Sequence, residues 1–207
     1  MSEKVGQEHL TDLLVPVEFY LKYGVYLGTR FKNKYIDEYI FKVRKDGLVI
    51  FDIKKIDEKI KKAAKFLAKY NPEDIVVVGR REYSWKPITK FAEIIGAKAY
   101  PRRYPPGILT NPALPNFVRA KVLVVVDPLL DKNTVKDAYD TGLPILALVD
   151  SNNTTNMVDI IIPCNNKGRK SLALIFYLLT REYLKEKGVI KSNEEFNYAV
   201  EDFVYEI

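Results

Sequence analysis

The chain has 207 residues, 47% hydrophobic and 29% charged, with a formal net charge of +6. That is apolar material for one large domain with a real core, and a moderate basic excess that suits nucleic acid or an anionic surface without proving either. Cys164 is the single cysteine, which excludes an internal disulfide; no apolar run approaches the roughly 20 residues that span a bilayer, and the first residues lack a secretory signal pattern, so the chain reads as cytoplasmic, with no membrane partner.

Residues 1–14 carry no clear pattern and read as mobile or context-dependent. Val17 to Tyr23 suits a short helix closed by Gly24. Residues 39–44 (Tyr-Ile-Phe-Lys-Val-Arg) read as a strand, Asp46-Gly47 as a hairpin turn, and residues 48–53 as the return strand. A helix over residues 54–69 follows, because Ile56, Ile60, Ala63, Ala64 and Leu67 recur at helical spacing.

The pattern then changes. Ile75-Val76-Val77-Val78 is a short continuous β-branched run, as expected of a strand covered on both faces. Residues 84–95 read as a helix that tolerates Pro87 near its start, and Lys98-Ala99-Tyr100 as a short strand. Tyr104-Pro105-Pro106-Gly107-Ile108-Leu109-Thr110-Asn111-Pro112 follows. Its prolines remove backbone donors and fix φ, so it reads as a rigid loop. Strands are expected over 121–126, 145–149 and 158–162, and a helix over 133–140 that stops at Gly142 and Pro144. A long helix over 169–187 closes the series, with Leu172, Ile175, Phe176, Leu179 and Tyr183 on one face.

Short β-branched strands alternating with helices imply right-handed crossovers and a doubly wound, mostly parallel α/β sheet in three layers, flavodoxin- or Rossmann-like. The expected organisation is a helical N-terminal arm over 1–35, an α/β core over 36–190 and an acidic-aromatic tail over 191–207. The tail mixes Glu194, Glu195, Glu201, Asp202 and Glu206 with Phe196, Tyr198, Val200, Phe203, Val204 and Tyr205. Self-docking or disorder is expected of it ahead of a dedicated partner site.

Ligands of open α/β sheets gather where strands end at their carboxyl side. Those ends carry Asp127, Asp131 and Asp150, which a metal- or phosphate-binding enzyme would use for ligation or acid–base work. The plainer reading has them capping turns and helices, and it is favoured because the companions of an active site are missing. There is no G-x-G-x-x-G after a strand and no G-x-x-x-x-G-K-[ST]. His9 is the lone histidine, remote in sequence from Cys164, so neither a histidine metal cluster nor a triad is available. Ser84 and Ser171 sit at expected helix starts. No catalytic residue, metal, cofactor or small-molecule substrate is expected.

The basic residues make the stronger case. Within 79–103, Arg80, Arg81, Lys86, Lys90, Lys98, Arg102 and Arg103 face only Glu82 and Glu93, an excess of five positive charges. Lys167, Arg169 and Lys170 cluster at the start of the last helix, where free N–H groups already favour phosphate. Arg30, Lys32 and Lys34 follow Gly28-Thr29. Three clusters at loop ends, without a catalytic set, point to the phosphate backbone of RNA. Lys86, Arg102 and Arg103 are the contacts expected around the proline loop, where Tyr83, Trp85, Tyr100 and Tyr104 are either core residues or stacking platforms for unpaired bases.

The chain resembles the small-subunit ribosomal protein S-two family, in its archaeal and eukaryotic, laminin-receptor-like branch. The pieces that carry the resemblance are Gly24-Val25-Tyr26-Leu27-Gly28-Thr29-Arg30, Tyr39-Ile40-Phe41 with Arg44-Lys45-Asp46-Gly47-Leu48, Ala63-Ala64-Lys65-Phe66-Leu67, Gly107-Ile108-Leu109-Thr110-Asn111-Pro112, Asp127-Pro128 with Asp131, Leu143-Pro144-Ile145-Leu146-Ala147-Leu148-Val149-Asp150, and residues 158–168. No single motif is decisive; their order and spacing are. The resemblance implies a doubly wound domain that packs on small-subunit ribosomal RNA, contacts neighbouring ribosomal proteins and has no catalytic role. Bacterial members insert a helical hairpin for which residues 65–74 leave no room, which favours the archaeal-type branch. Tyr26 stands where the family commonly has histidine.

Overall fold

The computed structural model of the chain describes residues 13–206. Chain order within them is α1 (Val17–Tyr23), β1 (Ile40–Val43), β2 (Val49–Phe51), α2 (Ile53–Leu67), β3 (Ile75–Gly79), α3 (Trp85–Ile95), β4 (Lys98–Pro101), β5 (Val122–Val125), α4 (Lys132–Asp140), β6 (Ile145–Val149), β7 (Ile160–Pro163) and α5 (Arg169–Glu186). His9 and most of the segment read as context-dependent lie outside the described residues.

Five strands form one all-parallel sheet in the order β4-β3-β5-β6-β7. Short apolar runs, β-branched throughout in β3 and mostly so in β5, explain it. Ile75 through Val78, Val122 through Val125 and Ile145 through Val149 are at most 1% exposed, as strands covered on both faces require. The chain first moves outward from β3 to β4, then returns past β3 to lay down β5. Right-handed crossovers therefore put α3 on one face, where α5 packs beside it, and the 102–120 loop and α4 on the other. The expected doubly wound α/β fold is the one found.

The hairpin is a separate unit. β1 and β2 pair antiparallel in a two-stranded sheet that does not join the parallel one. Residues 26–29 run beside β2, through hydrogen bonds from Gly28 N–H to Val49 O and from Phe51 N–H to Tyr26 O. Alternation in the sequence showed two strands but not which sheet they would join.

α2 buries its apolar stripe on α5 and β7; Ile56, Ile60 and Leu67 are 0% exposed, each contributing about 1.5–3 kcal/mol. α1 ends at Gly24, which takes φ +66° and so closes the helix where the sequence suggested. It is tied to the core by a buried carboxylate: Asp57 accepts from Tyr20 Oη at 2.6 Å and from the Leu14 N–H at 2.8 Å. Arg181, 4% exposed, donates to the Leu14 carbonyl from the other side.

α5 differs from its expected amphipathic form. Ala173, Leu174, Leu178, Thr180 and Arg181 are buried as well as the anticipated stripe. The reason lies in the tail, which folds back over it. Phe196 and Phe203 set their rings against Tyr177 at 5.3 and 6.0 Å, and Phe203 is fully buried. A helix packed by α2 and α3 and also covered by its own C-terminal segment buries more than one apolar stripe.

The proline loop also has a structural duty. Ile108, Leu109 and Val118 are buried in the core, so the loop covers the sheet where a crossover helix would otherwise lie. Tyr104 is buried too, and its hydroxyl donates to Asp137 on α4. Burial and the Asp137 charge push its phenol up, keeping it a protonated donor. Of the two roles open to Tyr104, core residue and stacking platform, the structure assigns the first.

Candidate nucleic-acid interface

Because the sheet is parallel, every segment that follows a strand emerges at one end of it. Residues 79–81, 101–103, 126–131, 150–153 and 164–168 therefore share the carboxyl end, and α3, α4 and α5 begin there. Two of the three basic clusters are gathered by that geometry alone. The third is delivered by docking: the Thr29 N–H donates to Ser151 Oγ at 2.8 Å, and the Asn33 N–H to the Ser151 carbonyl at 2.8 Å. Those bonds seat Arg30, Lys32 and Lys34 beside the β6 end. Three stretches distant in sequence thus become one basic rim.

Strand order reverses between β3 and β5, the switch point at which folds of this kind hold ligands. Here its inner part is filled by side chains. Asp127, 1% exposed, accepts from Arg81 Nη2 at 2.7 Å and Nε at 2.9 Å, from Asn153 Nδ2 at 2.9 Å and from the Leu129 N–H at 3.0 Å. Asp150, equally buried, accepts from Lys167 Nζ at 2.6 Å and from the Ser151 N–H. Asn166 Nδ2 bonds the Val126 and Leu148 carbonyls and Asn153 Oδ1. Gly79 makes the sharp exit from β3 possible, since a Cβ there would come within 2.4 Å of Ser84 Oγ.

Asp127 and Asp150 are therefore held in ion pairs with Arg81 and Lys167. Among the described residues, no group of three His, Cys, Asp or Glu side chains is placed to hold a metal. Cys164 is fully buried, and that burial pushes its thiol up, away from thiolate chemistry.

The eleven basic residues singled out from the sequence divide by partner. Arg81 and Lys167 face inward. Lys32 pairs with Asp37, and Lys86 with Glu206 of the tail. Arg169 donates to the Tyr205 carbonyl. Arg102 stacks on Trp85 at 4.8 Å and takes φ +72°, a conformation disfavoured for a side-chain-bearing residue and held here by its N–H bond to Gly79 O. Tyr205 meets Trp85 edge-on at 6.0 Å and lies 6.2 Å from Tyr83. The tail thus covers one edge of the rim. The side chains of Arg30, Lys34, Arg80, Arg103 and Lys170 are exposed, and among the described residues none has an ion pair or side-chain hydrogen bond. They are the open cations of the rim.

Asp131 stands apart from its two neighbours. It is 4% exposed, and its Oδ2 accepts only the Arg80 N–H, at 3.2 Å. Burial, with the Asp127 charge adding to it, raises its carboxyl to about 6 from 3.8. A carboxyl raised in the folded state stabilises the fold most below its unfolded pKa, and that contribution is lost as pH rises through 6. Asp131→Asn should therefore gain stability relative to the wild type between pH 4 and 6.5, by roughly 3 kcal/mol. Urea melts at a series of pH values read this directly; a constant difference across the range would show that Asp131 is not perturbed by folding.

Sequence reading missed Asn153 and Asn166, which join the β5, β6 and β7 ends, and the contact of Thr29 with Ser151. An asparagine after a strand looks the same whether it caps a turn or crosses to another strand, so no local signal distinguishes them.

Among the described residues no helix is long and apolar enough to cross a membrane. The model of the family described as ribosomal protein S2 matches residues 20–116 and 116–185. Three relatives are each called small ribosomal subunit protein uS2. The one from Nanoarchaeum equitans is 51% identical over 192 residues, covering 93% of this chain and 96% of the relative. The one from Picrophilus torridus is 50% identical, covering 95% and 98%. The one from Pyrobaculum aerophilum is 49% identical, covering 98% and 97%.

Proposed function

The chain belongs to the ribosomal protein S2 family and is a structural constituent of the small ribosomal subunit, and we propose that it binds ribosomal RNA through the basic rim at the carboxyl end of its sheet. As a member of that family it is not an enzyme, its place is the cytoplasmic ribosome, and it associates with small-subunit RNA and other ribosomal proteins. The observation that carries the rim reading is the convergence of Arg30, Lys34, Arg80, Arg103 and Lys170 on one end of one sheet, none of them in an ion pair among the described residues.

Exposed cations without acidic partners gain most from meeting phosphates, because binding releases the counterions condensed on RNA. The parallel sheet supplies the second requirement, a spacing of charges that does not flex. Arg81 and Lys167, included among the RNA contacts expected from the sequence, act indirectly in this reading: their ion pairs hold the β3 and β7 exits in place. Arg102, Lys86 and Arg169 belong to the edge sheltered by the tail.

The test is co-sedimentation of the tagged full chain with ribosomal subunits from the cognate extract across a salt series. Stoichiometric recovery with the small subunit through moderate salt is expected. Recovery in the free fraction alone, even at low salt, would sink the reading.

A further inference from the structure

Beside the filled part of the switch point lies an unfilled recess of about 190 Å³, lined by Arg80, Arg103, Tyr104, Asp131, Asn133 and Thr134 among others. Its chemistry is two-sided. Arg80 and Arg103 are exposed guanidinium groups that, among the described residues, make no ion pair or side-chain hydrogen bond, although the Arg80 charge acts on the neighbouring Asp131 carboxyl. α4 begins at its wall, and no side chain caps that helix, so the first N–H groups there are donors without a side-chain acceptor. Against these donors stands an acceptor, Asp131: the residue is 4% exposed, its Oδ2 accepts from the Arg80 N–H, and among the described residues nothing donates to its Oδ1.

A simple anion would satisfy the donors but would set its charge against the Asp131 carboxylate. A cation would meet the two arginines. The recess asks for a ligand that is anionic on one side and a hydrogen-bond donor on the other. Its volume is below the roughly 300–1,000 Å³ of sites that engulf a whole cofactor, and suits a single flat ring system. A nucleotide has this division of chemistry: a phosphate at one end, and at the other a base edge that can present an amino group, the donor with which carboxylates read bases. Resting on the RNA reading above, we propose that this recess seats one unpaired nucleotide of RNA, its phosphate between Arg80 and Arg103 and a base amino group donating to Asp131.

The substitution Asp131→Asn makes the idea specific. Its amide oxygen can still accept from the Arg80 N–H, while the amide nitrogen turns the acceptor in the recess into a donor. The experiment uses the full chain and a short RNA hairpin carrying one bulged nucleotide, made in four versions, with a fully paired hairpin as reference. Binding is followed by fluorescence anisotropy at fixed salt. The wild type should prefer an amino-bearing bulge over uracil by about tenfold, and Asp131→Asn should abolish or invert that preference.

Equal affinity for all four bulges, with a loss on Arg80→Ala that is the same for bulged and paired RNA, would overturn the nucleotide site and leave backbone binding standing. No affinity for any hairpin would instead count against the RNA reading itself. Should Asp131→Asn fail to fold, Arg103→Ala provides a second test, since that side chain is exposed. It must weaken the bulged hairpin more than the paired one; an equal loss rejects the proposal. Free cytidine and guanosine monophosphates, titrated by calorimetry, separate the sources. Their binding as tightly as the bulged RNA would overturn the assignment to an RNA nucleotide.

Discussion

Asp127→Ala is expected to lower the free energy of unfolding by about 3–5 kcal/mol, the range for breaking a buried ion pair from one side. The cause is what remains behind. Asp127 is 1% exposed and accepts four hydrogen bonds from Arg81, Asn153 and Leu129. Truncation leaves the Arg81 guanidinium partly buried without a counter-ion, and deprives the Asn153 amide and the Leu129 N–H of their acceptor. Asn153 in turn accepts from the Asp150 N–H and from Asn166, so the damage spreads to the β6 and β7 exits. Urea denaturation followed by the single tryptophan, Trp85, measures the loss. A change below 1 kcal/mol would mean that water reaches the pair. Arg81→Ala combined with Asp127→Ala should cost clearly less than the two changes summed, because each alone orphans the other's charge.

The largest functional effect is expected from reversing the open cations. Arg30→Glu, Arg80→Glu, Arg103→Glu and Lys170→Glu together should reduce affinity for small-subunit RNA on the order of a thousandfold at 0.1 M salt. The magnitude follows from counterion release. Each phosphate contact contributes about 0.9 to the slope of log affinity against log salt on duplex RNA, so losing four flattens the slope by about 3 to 4. Folding should be nearly untouched, since all four side chains are exposed and, among the described residues, have no ion pair. Lys69→Glu with Lys98→Glu is the control: both residues are exposed and sit at the opposite, amino end of the sheet, after α2 and at the start of β4. If the control pair weakens binding as much as the rim set does, the RNA does not select the rim.

Much of the fold was legible in the residues because periodicity is a local property. The stripe of Ile56, Ile60, Ala63, Ala64 and Leu67 can pack only as a helix face. The short apolar runs at 75–78, 122–125 and 145–149, bounded by turn residues, suit strands buried on both sides. Punctuation was as reliable: Gly24 ends α1, and Asp46-Gly47 turns the hairpin. Alternation of strand and helix then forces a parallel sheet, and a parallel sheet forces its post-strand loops to one end. The position of the rim was thus implicit in the residue pattern, except for its Arg30–Lys34 portion.

What local pattern could not carry was pairing across the chain. Eleven basic residues looked equivalent in sequence, yet the structure sends Arg81 and Lys167 inward to Asp127 and Asp150, shelters Lys86 and Arg169 under the tail, and leaves Arg80 and Arg103 open. Whether one of these lysines or arginines stays open or is taken by a partner depends on residues 17 to 120 positions away, and side-chain type does not encode that distance. The burial of α5 beyond its anticipated stripe had the same origin, since α2, α3 and the returning tail all pack against it. Sequence by itself determined the elements, the sheet and the sign of the charge, because each follows from neighbours within a few residues. Tertiary structure alone decided which charges are neutralised and which stay open, because desolvation and ion pairing depend on what is brought alongside from elsewhere in the chain.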